Sequence, residues 1–161
     1  MSRLDSFIRR LKAQRAALNY GLGLIAAVPG PVLELGLGNG RSYDHLRETV
    51  RDRRIFVFER KVGAHPDCIP PDQDLILGEV TENLPRTVQL IGAPAAFIHS
   101  DLGSGDKVAT KKLYEQIARQ LRAALAPRGI LVSDQPVEAG GLEALTVPEM
   151  IPGRYFVYRA N

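Results

Sequence analysis

The chain has 161 residues, 45% of them hydrophobic and 24% charged, with a formal net charge of +3. That length and balance predict one globular domain with a substantial core and exclude a low-complexity or disordered chain. Cys68 is the only cysteine, which rules out an intrachain disulfide and a cysteine-built zinc site, and the charge excess is too small to argue for a nucleic-acid partner. No apolar run is long enough to span a bilayer, and Met1-Ser2-Arg3-Leu4-Asp5 lacks the apolar core of a secretion signal, so a cytoplasmic location is expected, with no membrane partner.

Residues 2–18 read as a helix. Leu4, Phe7, Ile8, Leu11 and Leu18 fall near one face, and Arg3, Arg9, Arg10, Lys12 and Arg15 cover much of the rest. The apolar face is expected to pack on a sheet. A lid over a ligand and a homo-oligomer contact are the sharper alternatives. A second apolar segment, Leu22 through Val28, ends at Pro29-Gly30-Pro31, where prolines stop the helical segment 1–28 before the first strand.

Val32-Leu33-Glu34-Leu35 is a short apolar run, read as a buried strand. Gly36-Leu37-Gly38-Asn39-Gly40 then places glycine at every second position, and residues 42–50 continue as a helix. Strand, glycine turn and helix bring backbone close to a ligand: glycine adds no Cβ, and the first N–H groups of the helix are free to meet it. The spacing is G-x-G-x-G, with Arg41 where a dinucleotide fingerprint has its third glycine, and the Gly-Lys-Ser/Thr ending of a phosphate loop is absent. Glu34, at the strand tip, suits a cationic group better than a pyrophosphate.

This Glu-x-Gly-x-Gly-x-Gly string resembles motif I of the class I S-adenosylmethionine (SAM) dependent methyltransferases. The longer Gly36-Leu37-Gly38-Asn39-Gly40-Arg41-Ser42-Tyr43-Asp44-His45-Leu46-Arg47 is similar to a group of small stand-alone bacterial methyltransferases. The resemblance implies that Glu34 holds the methionine amino group, often through water. It also implies that Gly36, Leu37, Gly38, Asn39, Gly40, Ser42 and Tyr43 lie along the cofactor, with S-adenosylhomocysteine as product.

Ile55-Phe56-Val57-Phe58 reads as the second strand, ending on Glu59, about twenty residues after the glycine turn. An acid in that place accepts hydrogen bonds from two ribose hydroxyls, a rule that serves NAD and SAM alike; Arg60 follows it beside the same ligand. Residues 63–74 carry Pro66, Pro70 and Pro71 and read as a loop with at most a short helical turn. Residues 74–80 form the third strand and its exit. Gly78-Glu79-Val80 there resembles the family's Gly-Asp-x, in which the acid meets the adenine amine. Glu79 reads alternatively as N-terminal charge for a helix beginning at Thr81.

Residues 94–101 read as the fourth strand, residues 107–126 as a long helix, and residues 129–133 as the fifth strand. Leu125-Ala126-Pro127-Arg128-Gly129 resembles the family's passage from fourth helix to fifth strand. Residues 144–147 and 154–159 are strand-like runs joined by residues 148–153. The resemblance implies that the last returns antiparallel. The expected fold is therefore α/β: a Rossmann-like class I methyltransferase fold, a three-layer αβα sandwich whose seven-stranded, mostly parallel sheet carries an antiparallel C-terminal strand. One domain spans 1–161, with its core at 29–161.

Methyl transfer needs alignment of the acceptor and, where the acceptor is not already nucleophilic, a base. Asp101 is expected at the site, beside the cofactor and as catalytic base, with His99 as a second candidate. Strand alternation puts both on one face and Ser100 on the other. His99 reads equally as a buried, hydrogen-bonded histidine. Asp101, Asp106 and Asp134 do not match the spacing of a magnesium site, and no metal is expected. With no inserted cap in view, the expected partner is a small methyl acceptor. The alternatives are a SAM-binding module without catalysis and an NAD-type oxidoreductase.

Overall fold

The computed structural model describes residues 1–148 and 150–161; Glu149, within the 148–153 connection, lies outside the described residues. In chain order the elements are α1 (Arg3–Gly23), β1 (Val32–Leu35), α2 (Arg41–Thr49), β2 (Ile55–Glu59), β3 (Leu75–Leu77), α3 (Val80–Asn83) and α4 (Thr87–Ile91), followed by β4 (Ala95–Ser100), α5 (Lys107–Ala124), β5 (Leu125–Ser133), β6 (Leu142–Leu145) and β7 (Phe156–Ala160). The strands form one seven-stranded sheet in the order β3-β2-β1-β4-β5-β7-β6. β1 pairs in parallel with β2 and β4, and β7 runs antiparallel between β5 and β6. The β6–β7 hairpin departs from the βαβ alternation of the strands before it.

Each face of the sheet is covered. One core gathers Leu18, Val32, Leu46, Val57, Phe97, Ile130 and Tyr155 beneath α1 and α2; the other gathers Leu33, Leu35, Phe58, Ile98, Ile117 and Leu121 beneath α5. Both faces are buried, so the central strands are mostly apolar, as parallel strands are, with Glu34, His99, Ser100 and Ser133 as the buried polar exceptions.

α1 departs from the helix read in the sequence. It runs on to Gly23, and it seats on the sheet through Ala13, Ala17, Leu18 and Gly21. Of the expected apolar face only Leu18 is buried; Leu4 is 66% exposed, with Phe7 and Ile8 also open. The reason is length. The second half of α1 lies on β4 and β5, while its first half overhangs the C-terminal strand ends, with Arg10 and Gln14 above Asp101. A capping box between Ser2 and Asp5 starts this overhanging part.

The loop 63–74 contains two short 3₁₀ turns, Pro66–Cys68 and Asp72–Asp74. The long helix stops at Ala124, and β5 begins at once on Leu125, paired with Ala95. A bulge absorbs Pro127 and Arg128, the latter at φ 64°, before the main ladder from Ile130 to Ser133.

Candidate active site

The ends of β1, β2, β3, β4 and β5 and the start of β7 meet at one edge of the sheet, where open α/β folds place their ligands. The glycine turn after β1 is the floor. Gly36 has φ +85°, and a Cβ there would stand 2.8 Å from the Asp101 carbonyl oxygen. At Gly40, φ +86°, a Cβ would run into Cys68. Gly38 differs: at φ +53° its missing Cβ would meet nothing within 4 Å. Gly36 and Gly40 are therefore demanded by the protein's own packing, while the bare face of Gly38 opens outward.

Two hollows open from that face and share Gly36, Gly38 and Asp101. One, of about 340 Å³, is lined by Gly38, Glu59, Gly78, Glu79 and Leu113 among others. Arg60 and Val80 also border it. The second, of about 200 Å³, runs under α1 between Arg10, Leu11, Gln14, Asn39, Arg41 and Ser42, with Leu37 at its base. Gly36, Leu37, Gly38, Asn39, Ser42, Glu59, Arg60, Gly78, Glu79, Val80 and Asp101 thus surround one connected space.

Tyr43 does not belong to it. Its ring is buried in the core on the α2 side, with the Arg47 guanidinium 5.5 Å from the ring centre. The helix turns residue 43 inward, so its place in the motif serves packing.

Glu34 and His99 are likewise withdrawn. Both are wholly buried. The His99 Nδ1 lies 2.7 Å from Glu34 Oε2, and the Ser42 hydroxyl donates to Oε1. Burial works against charge on His99, but Glu34 beside it outweighs burial and raises its pKa above the usual histidine value. No hydrogen-bond partner reaches His99 Nε2. An imidazole enclosed in this way cannot touch an acceptor, which corrects the expectation that His99 is a catalytic base. Of the three, only Ser42 reaches the hollow.

Asp101 stands at the strand end, where both hollows meet. Its Oδ2 accepts from Arg10 at 2.8 Å, Tyr155 at 2.9 Å and Gln14 at 3.1 Å, and Oδ1 accepts from Arg10 at 3.0 Å. Oδ1 therefore keeps unused acceptor capacity. Burial, with the Asp101 charge beside it, pushes the Tyr155 hydroxyl well above its ordinary value, so it stays a donor. On the opposite face of β4, Ser100 meets Tyr114, whose hydroxyl donates to Asp134 at 2.6 Å. Burial raises the pKa of Asp134 despite that bond.

Glu59 is engaged too. One carboxylate oxygen accepts from the Leu37 and Gly38 N–H groups at 2.7 and 3.2 Å, the other from Arg60 and Lys61 at 2.7 and 3.1 Å. It fastens the glycine turn to the end of β2. Among the described residues no cluster of three or more His, Cys, Asp or Glu is arranged to hold a metal ion. Asp106 caps α5 instead, accepting from Val108 and Ala109.

A family model described as S-adenosyl-L-methionine methyltransferase matches residues 1–160. The chain belongs to this family. An S-adenosyl-L-methionine methyl transferase from Silicibacter pomeroyi DSS-3, known from a crystal structure, is 44% identical, with a TM-score of 0.94 over 100% of this chain and 99% of that one. TrmN from Thermus thermophilus, at 18% identity and TM-score 0.62, shares the fold over 94% of this chain and 49% of its own. A TehB-like SAM-dependent methyltransferase from Corynebacterium glutamicum, at 17% identity and TM-score 0.54, does so over 97% and 100%. A search of curated proteins finds no match. The chain is thus a SAM-dependent methyltransferase with the class I fold, and no helix among its described residues is long and apolar enough to cross a membrane.

In this methyltransferase the open face of Gly38 fits a cofactor lying against backbone. Gly38→Ala is expected to fold, losing about 1 kcal/mol because alanine resists the left-handed conformation. Its affinity for S-adenosylhomocysteine should fall at least about tenfold, since a methyl group then fills the junction. Calorimetric titration checks this; unchanged affinity would show that no ligand crosses Gly38.

Arg10, Gln14 and Tyr155 are site residues that the sequence reading missed. Arg10 read as one of several solvated basic residues, and the signal in its favour was the alternative reading of this helix as a lid over a ligand.

Proposed function

We infer that this methyltransferase acts on a small acceptor that enters between α1 and the end of β4 and is aligned by Asp101. The observation that carries the reading is the position of Asp101, which borders both hollows and is held from three sides by Arg10, Gln14 and Tyr155. The larger hollow suits the adenosine, with Gly78, Glu79 and Val80 around the base and Glu59 toward the ribose. The smaller suits the amino-acid end, with Ser42 presenting to the ammonium a hydroxyl oxygen polarised by Glu34. Bound SAM supplies an electrophilic methyl group on a sulfonium, and its departing thioether is neutral, so no general acid is required.

The protein's share is alignment. A carboxylate held by Arg10 is a firm hydrogen-bond acceptor, so Asp101 fixes the O–H or N–H of the acceptor through Oδ1, and the acceptor's proton leaves along that hydrogen bond as the bond to the methyl group forms. No inserted cap is present among the described elements, and the walls available are α1, the 101–106 turn and Tyr155, which favours a small acceptor over a macromolecule. The lone cysteine is in keeping with a cytoplasmic protein. The exposed Leu4, Phe7 and Ile8 give a second copy an apolar edge beside the site.

The test is release of S-adenosylhomocysteine on a panel of small phenols, amines, thiols and carboxylates, with bulk RNA and protein alongside. Turnover is expected on a small compound, and Asp101→Asn should lower kcat by about a hundredfold while leaving S-adenosylhomocysteine binding within a few fold. Turnover confined to RNA or protein would overturn the small acceptor, and undiminished kcat in the variant would remove Asp101.

A further inference from the structure

The buried Glu34–His99 pair is unusual for where it leads. A carboxylate and an imidazole, neither with any exposed surface, sit side by side on β1 and β4. Glu34 uses one oxygen for His99 and the other for Ser42, and Ser42 alone opens onto the hollow beneath α1. The three residues form a line from the core to the hollow. Its inner end is incomplete, because His99 Nε2 has no partner. A cationic ring leaves an N–H unmet there and a neutral ring leaves a lone pair unmet. No second hydrogen bond therefore locks the ring in one protonation state.

We propose that His99 is a positioning residue that tunes the amino-acid end of the cofactor hollow: its proton neutralises Glu34 in the empty protein and leaves when a ligand ammonium settles at Ser42. The reasoning is electrostatic. An enclosed carboxylate can balance one nearby cation well, and a second cation on its other oxygen competes with the first. The charged and titratable groups facing His99 are Glu34 from β1, Asp101 beyond its own strand, Asp134 beyond β5 and the Tyr155 hydroxyl before β7; Arg10 of α1 is committed to Asp101. All the charges closest to the ring are negative, so the one new positive charge that reaches its carboxylate through Ser42 lowers its proton affinity. The proton lost from His99 passes to solvent, and no bond is made or broken in the ligand. By linkage, ligands with the ammonium then bind more tightly as pH rises, until His99 is neutral in the free protein.

This inference rests on the amino-acid end of SAM lying beside Ser42, and two ligands separate the two ideas. S-adenosylhomocysteine carries the ammonium, while 5′-methylthioadenosine lacks that whole end. Calorimetric titrations in buffers of different ionisation enthalpy, from about pH 6 to 8.5, measure protons released as well as affinity. S-adenosylhomocysteine is expected to tighten about tenfold over that range, the equivalent of one unit of displaced pKa, with proton release that fades at the alkaline end. Methylthioadenosine should show a flat profile. His99→Asn keeps an N–H toward Glu34 and cannot titrate, so it should bind S-adenosylhomocysteine with no pH dependence and no proton release. A readout free of that variant is available because the chain has only three histidines. With His45→Gln and His65→Gln in place, the remaining imidazole NMR signal titrates lower when S-adenosylhomocysteine is bound than when it is absent. Equal pH dependence for both ligands, or an imidazole titration unmoved by ligand, would overturn the role of His99 and leave the cofactor reading intact. Binding of neither ligand would overturn both.

Discussion

Glu34→Ala is expected to cost about 3–5 kcal/mol of stability, the range found when one partner of a buried ion pair is removed. The variant loses two charge-assisted hydrogen bonds, leaves both nitrogens of His99 unpartnered and opens a cavity under the glycine turn. Glu34→Gln keeps the volume and should recover part of the loss. Urea denaturation across pH separates this from ordinary packing damage. In the native protein the folded-state pKa of His99 lies above its unfolded value, so its stabilising contribution is full below about pH 6.5 and is lost as pH rises through the folded value. In Glu34→Ala the buried ring has no counter-charge, its pKa falls below the unfolded value, and the slope reverses. The gap between the two proteins should therefore be widest in mild acid. A stability loss under about 1 kcal/mol, with no change in slope, would mean that the pair contributes little.

Gly36→Ala should be nearly as damaging, by a different route. Alanine at φ +85° costs about 1–2 kcal/mol, and its methyl would press on the Asp101 carbonyl oxygen, a backbone atom with nowhere to go. Moving that atom disturbs the contacts of Asp101 with Arg10, Gln14 and Tyr155. We expect a total of about 2–5 kcal/mol, a melting temperature lower by roughly 10 °C and little remaining turnover. Comparison with Gly38→Ala makes the test sharp: two glycines two residues apart, one failing in stability and the other in binding. Similar behaviour of both variants would refute the division of labour within the turn.

The contrast shows how far sequence carries a reader here. The glycine turn, Glu59 and the strand exits are local features: spacing and residue type announce them, and each lies at the strand end where the pattern puts it. The alternation that set His99 and Asp101 against Ser100 also holds, since His99 meets Glu34 of β1 and Asp101 meets Arg10 of α1, while Ser100 meets Tyr114 of α5 on the other face. What the sequence could not give was the occupancy of each side chain. Glu34, expected at the cofactor's amine, is sealed behind Ser42. Glu59, expected at the ribose, first holds four backbone N–H groups. Tyr43 turns inward, and His99 is sealed beside Glu34. The contacts of Asp101 join positions 91, 87 and 54 residues apart, and nothing local encodes them. The face of α1 misled for the same reason: apolar periodicity records which side of a helix is greasy, not where the sheet beneath it ends.

The placement of β7 has a consequence for how the protein is made. The last strand slots between β5 and β6, and it carries in Tyr155 just before it. A chain emerging from the ribosome has its glycine turn, Glu59 and Asp101 long before Tyr155 exists. The half of the hollow beside Glu59 is thus encoded early, while the wall beside Asp101 waits until Tyr155 has been made and can join Arg10 of α1 on that carboxylate. Sequence separations of this size slow folding, and here they also order it: the wall beside Asp101 is complete only once α1 and the residues leading into β7 have come together.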